Sequence, residues 1–185
     1  MKVILASASP RRKELLKILF DEFDIIPADV DENIPEDISA ENAAEYLAKK
    51  KANFIAEKYP EALIIGSDTT VVIDGEILGK PADKADAKNM LLKLSGKTHK
   101  VITGVSAVYR GEELSFSEIT EVVFYELSNA EIETYLNSDE WCDKAGAYGI
   151  QGKAGLFAEK IIGDYNNVVG LPVSRLNRKL KESGI

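Results

Sequence analysis

The segment ASASPRR at residues 6–12 places a hydroxyl and two guanidinium groups at a predicted junction between a strand and a helix. The apolar run at residues 3–6 predicts a buried strand, and Ser9-Pro10 is typical of a helix start because serine caps helices and proline suits their first position. Backbone N–H groups at such a start favour an anion. Three side chains of the segment could add phosphate contacts: Ser7, Arg11 and Arg12. A helix cap followed by two solvated arginines is the alternative interpretation.

A second candidate feature is the carboxylate of Asp68, in the sequence GSDT at residues 66–69. The apolar residues 62–65 predict a buried strand that delivers this acid to its carboxyl end, the edge at which open α/β sheets bind ligands. Asp68 could hold a divalent cation or act as a general base toward water. Glu32, in the acidic loop of residues 29–39, could share that metal. The alternative for Asp68 is a turn residue that bonds its own backbone.

Two lysines and one glutamine complete the candidate set. Lys51 lies on a long predicted helix, and Lys80 follows a predicted hairpin in the sequence GKP. Both could neutralise phosphate as point charges, or could simply be solvated. Gln151 lies in the glycine-rich segment DKAGAYGIQG at residues 143–152, where its amide could donate to and accept from a nucleotide base. A glycine-rich turn in a sheet is the alternative there.

The counts of cysteine and histidine exclude several other chemistries. With one cysteine and one histidine, the chain can form neither an internal disulfide nor a zinc cluster of several such ligands. Cys142 has no evident His–carboxylate arrangement, so a thiol nucleophile is not expected. We expect His99 to be structural or solvated. The sequence contains neither a G-x-S-x-G elbow nor a G-x-x-x-x-G-K-[ST] phosphate loop.

Hydrophobic patterning predicts strands that alternate with helices first and a hairpin-rich stretch later. The predicted strands cover residues 3–6, 23–26, 62–65 with a continuation at 71–73, 76–78, 101–109, 113–125 and 155–161. The predicted helices start at Ser9, Ser39, Lys84, Ser128 and Pro172. This order indicates an α/β fold with a mixed sheet and flanking helices rather than a purely parallel sheet. Residues 1–185 are expected to form one domain, or two closely joined lobes.

Charge and hydropathy disfavour two further classes of protein. The formal net charge of -8 argues against a nucleic-acid groove, although the arginine pair and the run Lys49-Lys50-Lys51 leave that alternative open. No apolar run reaches the roughly 18 residues of a membrane span. The apolar start of the chain is too short for the core of a signal peptide, and arginines follow it at once. We therefore expect a cytoplasmic protein.

Eight segments, in order, resemble the Maf family of nucleoside triphosphate pyrophosphatases, once described as septum-formation inhibitors. The segments are ASASPRR (6–12), Val30-Asp31-Glu32, Lys51-Ala52, GSDT (66–69), GKP (79–81), LSGKTH (94–99), DKAGAYGIQG (143–152) and GDYNNVVGLP (163–172). The resemblance covers nearly the whole chain, and eight ordered segments are much more specific than any single one. It implies an α/β structure of the Maf/inosine triphosphatase-like type, with a strongly twisted mixed sheet and two lobes that enclose a deep cleft.

The resemblance also implies roles for individual residues. The proton acceptor falls on Asp68. The further catalytic positions fall on Glu32, Lys51 and Lys80. The phosphate-binding positions fall on Ser7, Arg11 and Arg12. In the branch that acts on dTTP and UTP, the positions tied to substrate choice fall on Arg11, Thr69 and Gln151. Family members need a divalent cation, Mg²⁺ or Mn²⁺, which Glu32 and Asp68 would bind here, and they are often homodimers.

The implied function is hydrolysis of a nucleoside triphosphate, dTTP or UTP and their modified analogues, to the monophosphate and pyrophosphate. Gln151 in GIQG resembles the dTTP/UTP branch, whereas other branches act on 7-methyl-GTP or CTP. One departure is visible at Glu140-Trp141-Cys142, where relatives commonly carry a proline-containing stretch. It affects the local loop and none of the proposed catalytic positions. A non-catalytic nucleotide-binding regulator of cell division is the remaining alternative.

Overall fold

The computed structural model describes residues 1–185, and strands alternate with helices through the first half of the chain. The strands are β1 (Val3–Leu5), β2 (Asp24–Ile25), β3 (Leu63–Ile73), β4 (Glu76–Leu78), β5 (Thr98–Tyr109), β6 (Glu112–Phe124) and β7 (Ala158–Ile162). The α-helices are α1 (Pro10–Leu16), α2 (Ala43–Ala56), α3 (Lys84–Leu94), α4 (Asn129–Leu136), α5 (Tyr165–Val169) and α6 (Val173–Glu182). Two 3-10 helices cover Ala145–Ala147 and Lys153–Phe157. None of the helices combines the length and the apolar composition needed to cross a membrane.

The strands pair in the order β2-β1-β3-β5-β6-β7, and β4 pairs with β3. β1 is parallel to both of its neighbours, with Leu5 opposite Ile25 and Ile65. β4 is antiparallel to β3, and β7 is antiparallel to β6 with a register shift between Val123 and Phe124. The sheet is therefore mixed and has flanking helices, which confirms the α/β fold class predicted from the order of the elements.

The chain divides into two compact units. Unit 1 comprises Met1–Thr69, Thr103–Glu118 and Gly170–Ile185. Unit 2 comprises Thr70–Ile102 and Ile119–Val169. Strands β3, β5 and β6 contribute residues to both units. That residues 1–185 form one domain of two lobes stays a prediction.

In unit 1, helix α2 packs closely against the strands. The apolar core there includes residues of β1, α2, β3 and β5: Ile4, Ala6, Ala52, Ile55, Ile64 and Val108. Gly66 lies so near the helix that a Cβ would be 2.5 Å from the carbonyl oxygen of Ala48, and a Cβ at Gly104 would collide with the backbone of α2. Because any side chain at Gly66 or Gly104 would push the helix away, these two glycines hold the inner face of α2 against β3 and β5.

Unit 2 has an aromatic core. Edge-to-face contacts, with ring centroids 4.9 to 6.0 Å apart, join five rings: His99, Phe124, Tyr135, Tyr148 and Phe157. All five side chains are buried, and aliphatic residues of α3 and α4 surround them. Edge-to-face pairs are favourable beyond the apolar area that they bury, so this cluster gives unit 2 a rigid centre.

Local signals predict several element boundaries correctly. Ser9 caps α1, Lys84 begins α3, and Ser128 forms a capping box with Glu131 at the start of α4. The hairpin between β3 and β4 turns at Asp74-Gly75, where both residues have positive φ. In each case the signal depends only on residues a few positions apart, and the rest of the fold agrees with it here.

The prediction that residues 71–73 continue the strand at 62–65 is confirmed. Both runs lie in β3, where the polar side chains between them have partners inside the protein.

Other predicted boundaries are wrong. Helix α2 begins at Ala43 rather than at Ser39, whose carbonyl oxygen instead closes a turn with Asn42. Helix α1, whose apolar face the sequence predicts to include Ile18, ends at Leu16 and leaves Ile18 exposed beyond its end.

The strand predicted at residues 155–161 begins later, at Ala158. Its first residues form a 3-10 helix instead, in which the N–H of Gly155 donates to the carbonyl oxygen of Gly152. Two glycines in close succession permit that turn, and alternation of apolar residues alone does not reveal it. The short helix α5 was not predicted at all.

Candidate active site

Lys51 is a buried lysine on the inner face of α2. It shares that face with the apolar residues Leu47, Ala48 and Ile55, and only 8% of its surface is exposed. Its Nζ lies 2.6 Å from Asp68 Oδ1 and 2.6 Å from Glu32 Oε1. A buried ammonium needs such partners, because burying a charge without them is strongly unfavourable. The alternative interpretation of Lys51 as a solvated helix lysine is therefore wrong.

Asp68 lies within β3, just beyond the part of the strand that pairs with β1. The last parallel pair is Leu5 with Ile65, after which β1 ends and the segment ASASPRR begins. Asp68 therefore lies just beyond the carboxyl end of the neighbouring strand β1, whereas its own strand, β3, continues to Ile73. The side chain of Asp68 is 14% exposed, whereas that of Glu32 is 52% exposed. One ammonium thus joins a nearly buried acid to an acid at the surface.

The guanidinium of Arg12 is held by three hydrogen bonds within unit 1. Nε donates to the carbonyl oxygen of Gly170 (3.0 Å), Nη1 to Ser7 Oγ (3.2 Å) and Nη2 to Thr69 Oγ1 (3.0 Å). Burial lowers the pKa of Arg12, and the negative charge of Asp68 partly opposes that effect. Arginine carries five N–H donors, so one N–H on each terminal nitrogen is left for a bidentate contact with an anion.

Ser7 is oriented by two donors. Its Oγ accepts from the backbone N–H of Ser9 and from Arg12 Nη1, each at 3.2 Å. A hydroxyl that accepts twice still has its own proton to donate, and a phosphate oxygen is a suitable acceptor. Because α1 has only seven residues, the fixed hydroxyl and guanidinium, rather than a long helix dipole, are the groups of this segment that could contact an anion. The alternative of an isolated cap with solvated arginines is wrong for Arg12.

Arg11 neighbours Arg12 on α1 and is half-buried. Its positive charge contributes to the lowered pKa of Arg12. Without Arg11, the cluster balances two cations, Lys51 and Arg12, against two acids, Glu32 and Asp68. An incoming polyanion therefore needs further positive charge, which Arg11 and a metal ion could supply.

The two remaining sequence-predicted residues, Lys80 and Gln151, belong to unit 2. Both side chains are exposed. Within that unit, their segments are linked, because the N–H of Gly146 donates to the carbonyl oxygen of Gly79 at 3.1 Å. A Cβ at Gly146, which has φ +67°, would lie 3.0 Å from Val71, so the link depends on glycine there. The glycine-rich segment thus carries Gln151 and also supports the backbone next to Lys80.

Buried aromatic side chains fix the glycine-rich segment. Tyr148 OH lies 2.8 Å from His99 Nε2, and Tyr135 OH donates to the carbonyl oxygen of Ala147 at 3.2 Å. Burial lowers the pKa of His99 to about 4 and raises the pKa of both tyrosines. His99 is therefore neutral near pH 7. Of the two predicted possibilities for His99, structural or solvated, the structural one is therefore correct.

Sequence reasoning missed two residues that hold the charged cluster in place. Thr103 Oγ1 lies 2.9 Å from Thr69 Oγ1, and Ser67 Oγ donates to the carbonyl oxygen of Gly170 at 3.2 Å. Ser67 and Thr103 are fully buried. The available signal was a hydroxyl inside an otherwise apolar strand, as in VITGVSAV at residues 101–108, which is unfavourable unless the hydroxyl has a partner.

Comparisons of the sequence give consistent matches over the full chain. The family model for Maf-like proteins matches residues 2–183. A dTTP/UTP pyrophosphatase of Bacillus anthracis is 50% identical over 184 residues, which cover 100% of this chain and 96% of the relative. A dTTP/UTP pyrophosphatase of Bacillus cereus is 49% identical with the same coverage.

Comparisons of the structure support the same fold. The Ham1 protein of Staphylococcus aureus superposes with a TM-score of 0.57 at 16% identity, over 99% of this chain and 100% of that one. A HAM1 protein of Coxiella burnetii gives a TM-score of 0.56 at 16% identity, over 98% and 99% of the two chains. At such low identity these matches establish a shared fold and carry no information about the reaction.

Proposed function

The chain belongs to the Maf family, and from that premise we propose that it hydrolyses dTTP and UTP to the nucleoside monophosphate and pyrophosphate. The observation that carries the proposal is the contact of one buried ammonium, Lys51, with both candidate acids, Glu32 and Asp68. Relatives about half identical to the chain over its full length are dTTP/UTP pyrophosphatases, which supports the choice of substrate.

In the proposed reaction, Asp68 accepts a proton from water as the water oxygen bonds to the α-phosphorus. The bond between the α-phosphorus and the oxygen that bridges to the β-phosphate breaks, and pyrophosphate leaves with that oxygen. Lys51 contacts Oδ1 of Asp68, so the other carboxylate oxygen, Oδ2, is the proposed proton acceptor. Ser7, Arg11 and Arg12 would bind phosphate oxygens. Positioning and charge stabilisation are the main requirements of phosphoryl chemistry, and this cluster supplies both.

The residues present fit a divalent cation, Mg²⁺ or Mn²⁺. Glu32 and Asp68 already share one cation, the Lys51 ammonium, and carboxylate oxygens suit these metals. The chain has no group of three or more His, Cys, Asp or Glu side chains that could hold a metal. Two carboxylates together with substrate phosphates are a usual ligand set for Mg²⁺. When bound, the ion would supply positive charge against the phosphate oxygens.

Substrate choice is proposed to depend on Arg11, Thr69 and Gln151, as the family resemblance implies. The exposed amide of Gln151 can both donate and accept, which matches the alternating donors and acceptors of thymine and uracil. Lys80 is proposed as a further cation for the triphosphate.

We also propose that the protein is cytoplasmic and forms a homodimer. Light scattering coupled to size exclusion would test the homodimer.

A panel of nucleoside triphosphates tests the proposed function. Pyrophosphate release would be measured with dTTP, UTP, CTP, dATP, 7-methyl-GTP and modified pyrimidine triphosphates, with Mg²⁺, with Mn²⁺ and with chelator. We expect the highest kcat/KM for dTTP and UTP and loss of activity in chelator. A preference for 7-methyl-GTP or CTP would move the enzyme to another branch of the family.

Two outcomes of the same panel would contradict an enzymatic function. Tight binding of a triphosphate without release of pyrophosphate at saturating metal would indicate a non-catalytic regulator of cell division. Strongly salt-dependent binding to DNA or RNA, without hydrolysis of any triphosphate, would indicate a nucleic-acid-binding protein.

A further inference from the structure

Thr103 is a buried residue of β5, and its hydroxyl contacts Thr69 of the candidate site. Its surface is fully covered, and its Oγ1 lies 2.9 Å from Oγ1 of the half-buried Thr69. Thr69 Oγ1 in turn lies 3.0 Å from Arg12 Nη2. Thr69 is thus held between a guanidinium on α1 and a hydroxyl on β5.

Hydrogen-bond chemistry restricts what Thr69 can do in this arrangement. A guanidinium can only donate, so Arg12 occupies one lone pair of Thr69 Oγ1. If Thr103 donates to the second lone pair, Thr69 keeps its own proton for a substrate oxygen. If Thr69 donates to Thr103 instead, it has only a lone pair to offer. The direction of the hydrogen bond between Thr103 and Thr69 therefore sets whether Thr69 presents a proton or a lone pair to the substrate.

We propose that Thr103 is a positioning residue for substrate selection, which donates to Thr69 and so directs the Thr69 proton toward an oxygen of the pyrimidine ring. The proposal rests on the function proposed above, in which Thr69 takes part in substrate choice. Thymine and uracil carry a carbonyl oxygen at C4, whereas cytosine carries an amino group there. A Thr69 hydroxyl that is fixed as a donor can bond the C4 oxygen of thymine and uracil but not the C4 amino group of cytosine.

The experiment compares Thr103→Val with wild type on dTTP, UTP and dCTP. Valine keeps the shape of threonine and removes the hydroxyl. We expect the ratio of kcat/KM for dTTP over dCTP to fall by about tenfold, the scale of one hydrogen bond. Thr103→Ser returns the hydroxyl and should restore most of the ratio. In the double variant Thr69→Val/Thr103→Val, the ratio should be no lower than in Thr69→Val alone, because both changes remove the same interaction.

Ser106→Ala is the matched control. Ser106 is a fully buried hydroxyl on the same strand without a hydrogen-bond partner, and so its loss should leave the ratio unchanged. Should Thr103→Val fail to fold, Thr103→Cys replaces it, since a thiol is similar in size and is a weak donor.

The possible results separate the inference from the function. A lowered rate with an unchanged dTTP/dCTP ratio, or a ratio that Thr103→Ser does not restore, would overturn the role of Thr103. If wild type releases pyrophosphate from no triphosphate, the proposed function fails and the role of Thr103 fails with it. If wild type is active and Thr103→Val matches it on all three substrates, only the role of Thr103 is rejected.

Discussion

The charged cluster of unit 1 and the glycine-rich segment of unit 2 hold their candidate residues in different ways. In unit 1, Lys51 and Asp68 lie on a helix and a strand, and ion pairs and hydrogen bonds fix their side chains. In unit 2, Lys80 and Gln151 are exposed residues outside regular helices and strands, and buried aromatic rings fix the backbone near Gln151 rather than its side chain. Charge stabilisation needs preorganised groups, whereas an exposed loop residue such as Gln151 can vary without disturbing the fold.

This difference predicts that substitutions of Lys51 and Asp68 reduce turnover on every substrate, while substitution of Gln151 alters substrate preference. If variants of Lys51 and Asp68 instead changed mainly the preference among bases, and variants of Gln151 changed mainly turnover, this division would be wrong.

The largest expected effect is that of Asp68→Asn. The amide keeps the shape of the side chain but cannot accept a proton as a general base, so kcat should fall by about 1,000-fold while nucleotide binding persists. Pyrophosphate release and calorimetric titration would measure the two quantities. Asp74→Asn, the same change at the exposed β3–β4 turn, is the control. Near-normal pyrophosphate release by Asp68→Asn would exclude Asp68 as the base.

Lys51→Met should have the next largest effect. The change removes the buried ammonium that both Glu32 and Asp68 contact, so the two acids repel each other and the phosphate tail loses a cation. We expect kcat/KM to fall by about 100-fold. Lys50→Met, at the preceding position of the same helix, should have little effect. If the two variants behave alike, Lys51 has no special role in turnover.

His99 should make the stability of the protein depend on pH. Burial lowers its pKa to about 4 from the ordinary value of 6.5. Between these values the unfolded chain binds a proton that the folded chain does not, so stability is fully present above pH 6.5 and falls as the pH drops toward 4. From pH 7 to pH 5 the loss from this residue should be about 2 kcal/mol.

Urea unfolding at the two pH values, with wild type and His99→Gln, would measure this contribution. The variant lacks a titrating ring, so its free energy of unfolding should change less between the two pH values, even if it is less stable at pH 7. An identical pH dependence in both proteins would contradict the low pKa of His99.

The smallest expected effect is that of Gln151→Glu. A carboxylate accepts but cannot donate, so one half of the proposed base contact is lost. The ratio of kcat/KM for dTTP over dCTP should change by about tenfold, with little change in thermal stability. Unchanged relative rates across the nucleotide panel would argue against a base-reading role for Gln151.

Sequence alone predicted those parts of the molecule that depend on neighbouring residues. The Ser9 cap, the Asp74-Gly75 turn and the Ser128 capping box are each set by residues within a few positions. The fold class followed from the order of such elements. The partners of the polar residues of GSDT in β3 did not, because they lie on α2 and in the C-terminal segment, far away in sequence.

The candidate site shows the same limit. The family resemblance named Lys51, Glu32 and Asp68, but it did not reveal that one ammonium contacts both acids. Nor did it point to Thr103, whose hydroxyl contacts that of Thr69, 34 positions earlier in the sequence. Residue types and order predict which groups take part, while long-range packing decides how each group is oriented.

The carbonyl oxygen of Gly170 has a consequence for protein synthesis. It accepts from both Arg12 and Ser67, so two residues of the first half of the chain are oriented by one near its end. A nascent chain of residues 1–169 would lack this acceptor, so the side chains of Arg12 and Ser67 would each have one hydrogen-bond partner fewer. These two hydrogen bonds therefore form only after synthesis has passed Gly170.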